Sequence, residues 1–124
     1  MTIKKFATPL AALVLITLLA ACSSGPPPKH ELSLTQSSIR SAEAAGAVAY
    51  ASKPFRSAQQ KVTTAQTLIE KKKYDRARRI LQSATADAEL AEATAEAEQA
   101  RIASEELNES IALMKEEIAR VQDN

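Results

Sequence analysis

The chain predicts an all-α fold: two shorter helices packed on the N-terminal half of a long third helix that continues as a coiled-coil-like extension. Three observations lead there. From Ser33 onward the apolar residues recur at three- and four-residue spacing, the period of a helix face. The breakers are few, with Gly46 the one glycine in this region and Pro54 the one proline. Finally, a broad apolar face between Ala77 and Ala97 narrows to a single stripe that runs on to Val121. After residue 21 only Tyr50, Phe55 and Tyr74 are aromatic and tryptophan is absent, so Ala, Leu, Ile and Val must form the core.

The first helix is expected to start at Ser33-Leu34-Thr35-Gln36, which fits a capping box: a hydroxyl at the N-cap and a Gln three residues later reaching back. Its stripe is Thr35, Ile39, Ala42, Gly46 and Ala49. Gly46 costs about 1 kcal/mol relative to alanine in a helix interior, which a close helix approach or a tolerated weak spot would explain. The helix should end near Ser52, because Pro54 disfavours helical geometry at Lys53. Pro54 suits the first turn of the second helix, where its missing N–H is not needed. That helix, Pro54 to about Lys72, carries Phe55, Ala58, Val62, Ala65 and Ile69, widened by Leu68. It closes on lysines, which the helix dipole favours there, and no glycine ends it. The stretch 72–75 reads as a tight turn or a kink.

The third helix spans about Asp75 to Val121. Ala77, Leu81, Ala84, Ala88, Ala91 and Ala95 form one stripe, and Ala86, Leu90, Ala93 and Ala97 a second beside it. Together they are expected to receive both preceding helices. Beyond Glu98 only Ala100, Ser104, Leu107, Ile111, Met114, Ile118 and Val121 remain, a 3-4 seam of the coiled-coil kind in phase with the second stripe. At ~1.5 Å per residue the helix is roughly 70 Å long, more than the first two can cover. Leu107, Ile111, Met114, Ile118 and Val121 therefore form an expected association strip, for a second copy, another protein or the chain's own first helix. Glutamates along the same segment favour a basic partner, or an antiparallel arrangement meeting Arg76–Arg79.

Charge is segregated along the chain. Nine basic and two acidic residues lie between Lys53 and Arg79, whereas Asp87 to Glu117 holds ten acidic residues against Arg101 and Lys115. Neighbouring helices can offset each other in this way. Alternatively Lys71, Lys72, Lys73, Arg76, Arg78 and Arg79 form an anion-contact patch for lipid phosphate, lipopolysaccharide or cell-wall carboxylate. The near-neutral total gives nucleic-acid binding no support.

The N-terminus carries a different signal. Lys4 and Lys5 precede an apolar run from Phe6 to Leu19, too short for a spanning helix and of secretory length. Leu19-Ala20-Ala21-Cys22 resembles the bacterial lipoprotein signal at all four positions. The resemblance implies cleavage between Ala21 and Cys22, and acyl chains (palmitate among them) on Cys22, the only cysteine. Residues 1–21 are then a signal peptide, 22–32 an acylated cysteine with a Pro-rich polyproline II linker, and 33–124 the helical domain. Several acyl chains make desorption negligible. Ser23, where aspartate would resemble an inner-membrane retention signal, implies an outer-membrane anchor with the domain facing the periplasm. His30 lies in the linker and reads as solvated polar filler.

Four blocks carry a family resemblance: Ser38–Ala47, Phe55-Arg56-Ser57-Ala58, Lys73-Tyr74-Asp75-Arg76-Ala77-Arg78 and Ala86-Asp87-Ala88-Glu89-Leu90-Ala91. In order and spacing they resemble a short Ala-rich domain of unknown function in proteobacterial lipoproteins, over about residues 32–100, leaving 101–124 as a coiled-coil-like tail. The resemblance implies no catalytic residues. Tyr-Asp-x-Ala is also similar to part of a tetratricopeptide unit, but only one such unit is visible. The murein lipoprotein is a third comparison, and the Gln122-Asp123-Asn124 end lacks its wall-linking lysine.

No nucleophile–base pair or phosphate-cradling glycine loop occurs, and adjacent pairs such as Glu105-Glu106 point about 100° apart on a helix. No cofactor, metal or small-molecule substrate is expected. The expected function is non-catalytic: a lipid-anchored periplasmic spacer or adaptor recruiting an outer-membrane or cell-wall-associated protein. The alternative is a small module that binds lipopolysaccharide or peptidoglycan through Lys71–Arg79.

Overall fold

Four helices in the order α1 (Lys29–Ala44), α2 (Ala47–Tyr50), α3 (Ser52–Glu70) and α4 (Tyr74–Gln122) make up the fold in the computed structural model, which describes residues 25–123. The signal segment and Cys22 lie outside the described residues. Helices α1 and α3 each lie along the first half of α4, and α2 caps the corner between them. The expected pair of shorter helices on a long one is therefore present, with one extra turn of helix at the crossover.

The start of α1 differs from the expectation. Ser33 stands inside the helix, which begins at Lys29, so no capping box forms and 29–32 are helical rather than extended. Pro28 is the N-cap, and its carbonyl accepts the first bond, from the Leu32 N–H at 3.1 Å. Proline's fixed φ suits a helix entry, and tertiary contacts complete it. Arg78 donates to the Glu31 carboxylate at 2.8 Å and to the Pro26 carbonyl at 3.2 Å. Pro28 itself is fully buried. His30 thus sits exposed on the first turn of α1, not in a free spacer.

Helix α1 also stops earlier than Ser52. Gly46 has φ 78°, a left-handed conformation that ends the helix after Ala44, and its N–H bonds back to the Glu43 carbonyl at 2.9 Å. A side chain there would be strained, and its Cβ would meet Gln99 Nε2 at 3.0 Å. Gln99 uses that approach to donate to the Ala45 carbonyl at 2.7 Å. The break shifts the helical phase. Ala47 and Ala51 are buried in place of the expected Ala49, which is exposed. Lys53 is helical, because Pro54 falls in the first turn of α3 and the first closed bond there runs from Phe55 N–H to Ala51 C=O.

The end of α3 is a tight turn. Lys72 takes φ 57°, its N–H bonds to Ile69 C=O at 2.9 Å, and the Lys73 N–H reaches Leu68 C=O at 2.8 Å. This pair of bonds is a Schellman motif with lysine where glycine is usual, so α3 ends at Glu70, two residues short of expectation.

Packing rests on one stripe rather than two. Ala77, Leu81, Ala84, Ala88, Ala91 and Ala95 are all fully buried. The second stripe, Ala86, Leu90, Ala93 and Ala97, is exposed, with Leu90 58 % accessible. A single row of alanines can serve two helices because methyl groups let both backbones come close. The contact surfaces to either side are then polar. Toward α1, buried Thr35 shares a hydrogen bond with Thr85 at 2.8 Å. Toward α3, Lys61 Nζ donates to Asp87 at 2.7 Å and to Ser83 at 2.8 Å, and Ser57 donates to the same Asp87 oxygen. Phe55 closes the corner against Ala42, Ala47, Ala51, Ala91 and Ala95, and is the only buried aromatic ring among the described residues.

Candidate functional site

Helix α4 outruns its partners. Gln99 makes the last hydrogen bond from α4 to the preceding helices, Ile102 is the last half-buried residue, and 103–123 are exposed on every face. About 20 residues, or roughly 30 Å of helix, project as a single rod. Intrahelical ion pairs line it: Arg101 with Glu98 at 2.7 Å and with Glu105, then Arg120 with Glu116 at 2.9 Å and Glu117 at 3.1 Å. Pairs at three- and four-residue spacing support an isolated helix by a few tenths of a kcal/mol each.

Leu107, Ile111, Met114, Ile118 and Val121 lie on one face of this rod, all between 45 % and 68 % accessible. Because α4 is unbroken from Tyr74 to Gln122, the strip joins Ala86, Leu90, Ala93, Ala97 and Ala100 without a change of phase. The combined face runs 36 residues, Ala86 to Val121, or roughly 53 Å. It points about 150° around the helix axis from the buried alanine stripe, so the chain's own helices do not cover it. The first helix does not fold back on it.

The basic patch gathers at the opposite end. Lys71, Lys72 and Lys73 form the α3–α4 turn, and Arg76 and Arg79 follow on the first turns of α4, all exposed. None of these five makes an ion pair among the described residues. Arg78 departs from the expected patch. It is half-buried between Glu31 and Asp75, tying α1 to α4. Backbone hydrogen bonding and Arg78 together hold the Glu31 carboxyl below its ordinary range. Lys61, then Ser57, do the same for Asp87. Part of the segregated charge thus joins neighbouring helices, and the five free cations remain at one end.

Sequence reasoning missed where that end lies relative to the chain's entry. Arg78 holds the Pro26 carbonyl, so residues 25–28 reach the fold beside the basic turn. The spacing of Glu31 and Arg78, 47 residues apart, carried no local signal for this contact. Concavities near Phe55, the basic turn and Leu34 are shallow and open, and none encloses a group of convergent polar atoms. Among the described residues no three His, Cys, Asp or Glu side chains converge on a metal position, and no helix is long and apolar enough to cross a membrane.

These features define a small all-helical module with a basic entry end, an alanine-packed body and a projecting apolar-striped rod. Residues 30–107 match the domain of unknown function DUF4398, and the chain belongs to that family. The match takes in α1, α2, α3 and the part of α4 that they cover, and stops at the first residue of the rod's apolar strip. No curated protein matches the chain. No solved structure matches it.

Proposed function

We propose that this protein is a non-catalytic, lipid-anchored spacer of the bacterial cell envelope, held at the outer membrane by Cys22 and presenting its long helix in the periplasm to an outer-membrane or cell-wall-associated partner. The observation that carries this is directional. The chain enters the fold at the first turn of α4, and α4 then runs roughly 70 Å without interruption to an uncovered apolar strip. An anchor at Cys22 is only six residues before Pro28, so the entry end stays within about 20 Å of the lipid at ~3.1 Å per extended residue. The strip is then delivered to a distance set by the length of α4. Metabolic labelling with a fatty-acid analogue tests the anchor: the wild type should be marked and sediment with outer membranes, and Cys22→Ser should not. Equal labelling of both would sink it.

One observation favours a second reading, a binding module for anionic envelope polymers. Lys71, Lys72, Lys73, Arg76 and Arg79 have no acidic partner among the described residues and sit at the entry end, where lipid A phosphates or wall carboxylates would be near. Salt separates the two readings, since a charge-driven contact weakens steeply above ~0.15 M and an apolar one does not.

A further inference from the structure

We infer that the apolar face of α4 is the seam of a parallel, in-register coiled coil with a second copy of this chain. This rests on the reading of the strip as an association surface and adds its occupant and direction. Along the face the spacing is an unbroken heptad, with Leu90, Ile111 and Ile118 at a positions and Leu107 and Met114 at d. It extends over five heptads, beyond the three or four that mark a coiled coil. In the outer heptads β-branched Ile111 and Ile118 occupy a against Leu107 and Met114 at d, the distribution that favours two parallel strands, and β-branched Val121 takes the last d position.

Charge decides the direction. In this heptad the glutamates of the rod at 105, 106, 109 and 116 fall at b, c and f, away from the seam; Glu105 and Glu116 bind Arg101 and Arg120, Glu106 and Glu109 face open solvent, and Glu117 at g pairs with Arg120. They therefore do not oppose self-pairing, contrary to the expectation from their number alone. The flanking e and g positions matter instead. In a parallel pair each g residue faces the e residue five positions later on the partner strand. Glu96 then meets Arg101 twice, once on each side, and no like charges meet. Arg101 holds Glu98 and Glu105 with one N–H from each of Nε, Nη1 and Nη2, which leaves two N–H groups for a third carboxylate.

An antiparallel pair sets g against g and e against e. The register that best overlays the strip on itself puts Arg101 on Arg101 and Glu89 on Glu117. Sliding further, until the tail reaches the basic turn, lays Ile118 and Val121 on Arg79 and Arg76, which continue the a and d lines upstream. Those arginines also end the parallel seam, because two copies of them cannot stay close. Ser104, the single polar residue on the face, meets its own counterpart only in the in-register arrangement. The body does not obstruct the seam, since α1 and α3 pack on the far side of α4.

Disulfide trapping of the full chain in intact bacterial cells tests this. Ile111→Cys places one thiol on the seam and Glu109→Cys one on the outer face, each in the parent and in the Cys22→Ser background. Oxidation should convert Ile111→Cys to a covalent dimer and leave Glu109→Cys largely monomeric. Adding Glu96→Arg should lower the dimer yield several-fold, and Arg101→Glu on top of it should restore the yield. Dimers that form only between Ile111→Cys and Ala93→Cys copies would establish the antiparallel pair and overturn the inference. Absence of any dimer would also overturn it, while leaving the strip to a different protein. A dimer in the otherwise unsubstituted chain would show Cys22 to be free and would count against the anchor, not the seam.

Discussion

Ala91 is the position where the account of the core is most exposed to test. It is fully buried at the corner where α4 meets Phe55, Ala42, Ala47 and Ala51; apart from that ring the buried members of the cluster are alanines, with half-buried Ile39 and Ala45 packed against them. Ala91→Leu would add three carbons where the backbones are spaced by methyl groups, with no cavity to take them. Overpacking of this kind costs ~1–3 kcal/mol. For a body of this size each kcal/mol lowers Tm by about 4–8 °C, so a drop of roughly 5–20 °C follows. Thermal unfolding followed by far-UV circular dichroism would read it, at a concentration low enough to keep the protein monomeric. Ala93→Leu, two residues on and exposed, is the matched control and should not lower Tm. If Ala91→Leu unfolded with the wild type, the alanine stripe would not be the contact surface and the packing argument would fail.

The two left-handed residues predict opposite outcomes. Lys72→Gly should stabilise the fold by about 1 kcal/mol, since the φ of 57° penalises a side chain. Gly46→Ala should destabilise it by at least as much, from the same penalty and the 3.0 Å approach to Gln99; denaturant midpoints would show both. Leu81 is the largest fully buried side chain, so Leu81→Ala should cost ~2–5 kcal/mol in the same assay. Asp87 is held below its ordinary pKa by Lys61 and Ser57. Its contribution is therefore present above about pH 4 and lost as pH falls through the lower native value. Tm should fall on acidification through that window, and Asp87→Asn should flatten this part of the profile while lowering Tm at neutral pH.

Helix periodicity made the body of the fold readable. Every residue of the stripe from Ala77 to Ala95 is buried as its spacing implies, and so are Phe55, Ala58, Val62 and Ala65 on α3. What misled was phase. The second apolar stripe lies about 150° around the helix axis from the first, so the two do not make one broad buried face; a single row of methyl groups admits two helices by itself, and Thr35, Thr85, Lys61 and Asp87 supply the shoulders. The second stripe was left for the surface. Boundaries were harder, because they depended on long-range contacts. Arg78 holds the first turn of α1 through Glu31 and Pro26, which the local capping pattern at Ser33 could not register. Lys72 at a left-handed position is similarly silent, since lysine carries none of glycine's signal. The strip beyond Ser104 was legible as exposed from its narrow seam alone. Its relation to the charges needed the unbroken register of α4.

The central claim is that the uncovered face of α4 is occupied in the cell. Site-specific photocrosslinking from the full chain in intact bacteria tests it most directly, with the photoreactive residue placed at Ile111 or, on the opposite side of the rod, at Glu109. The account predicts a discrete crosslinked species from position 111 and little or none from 109. Monomer alone from both positions, or equal adducts from both, would contradict it.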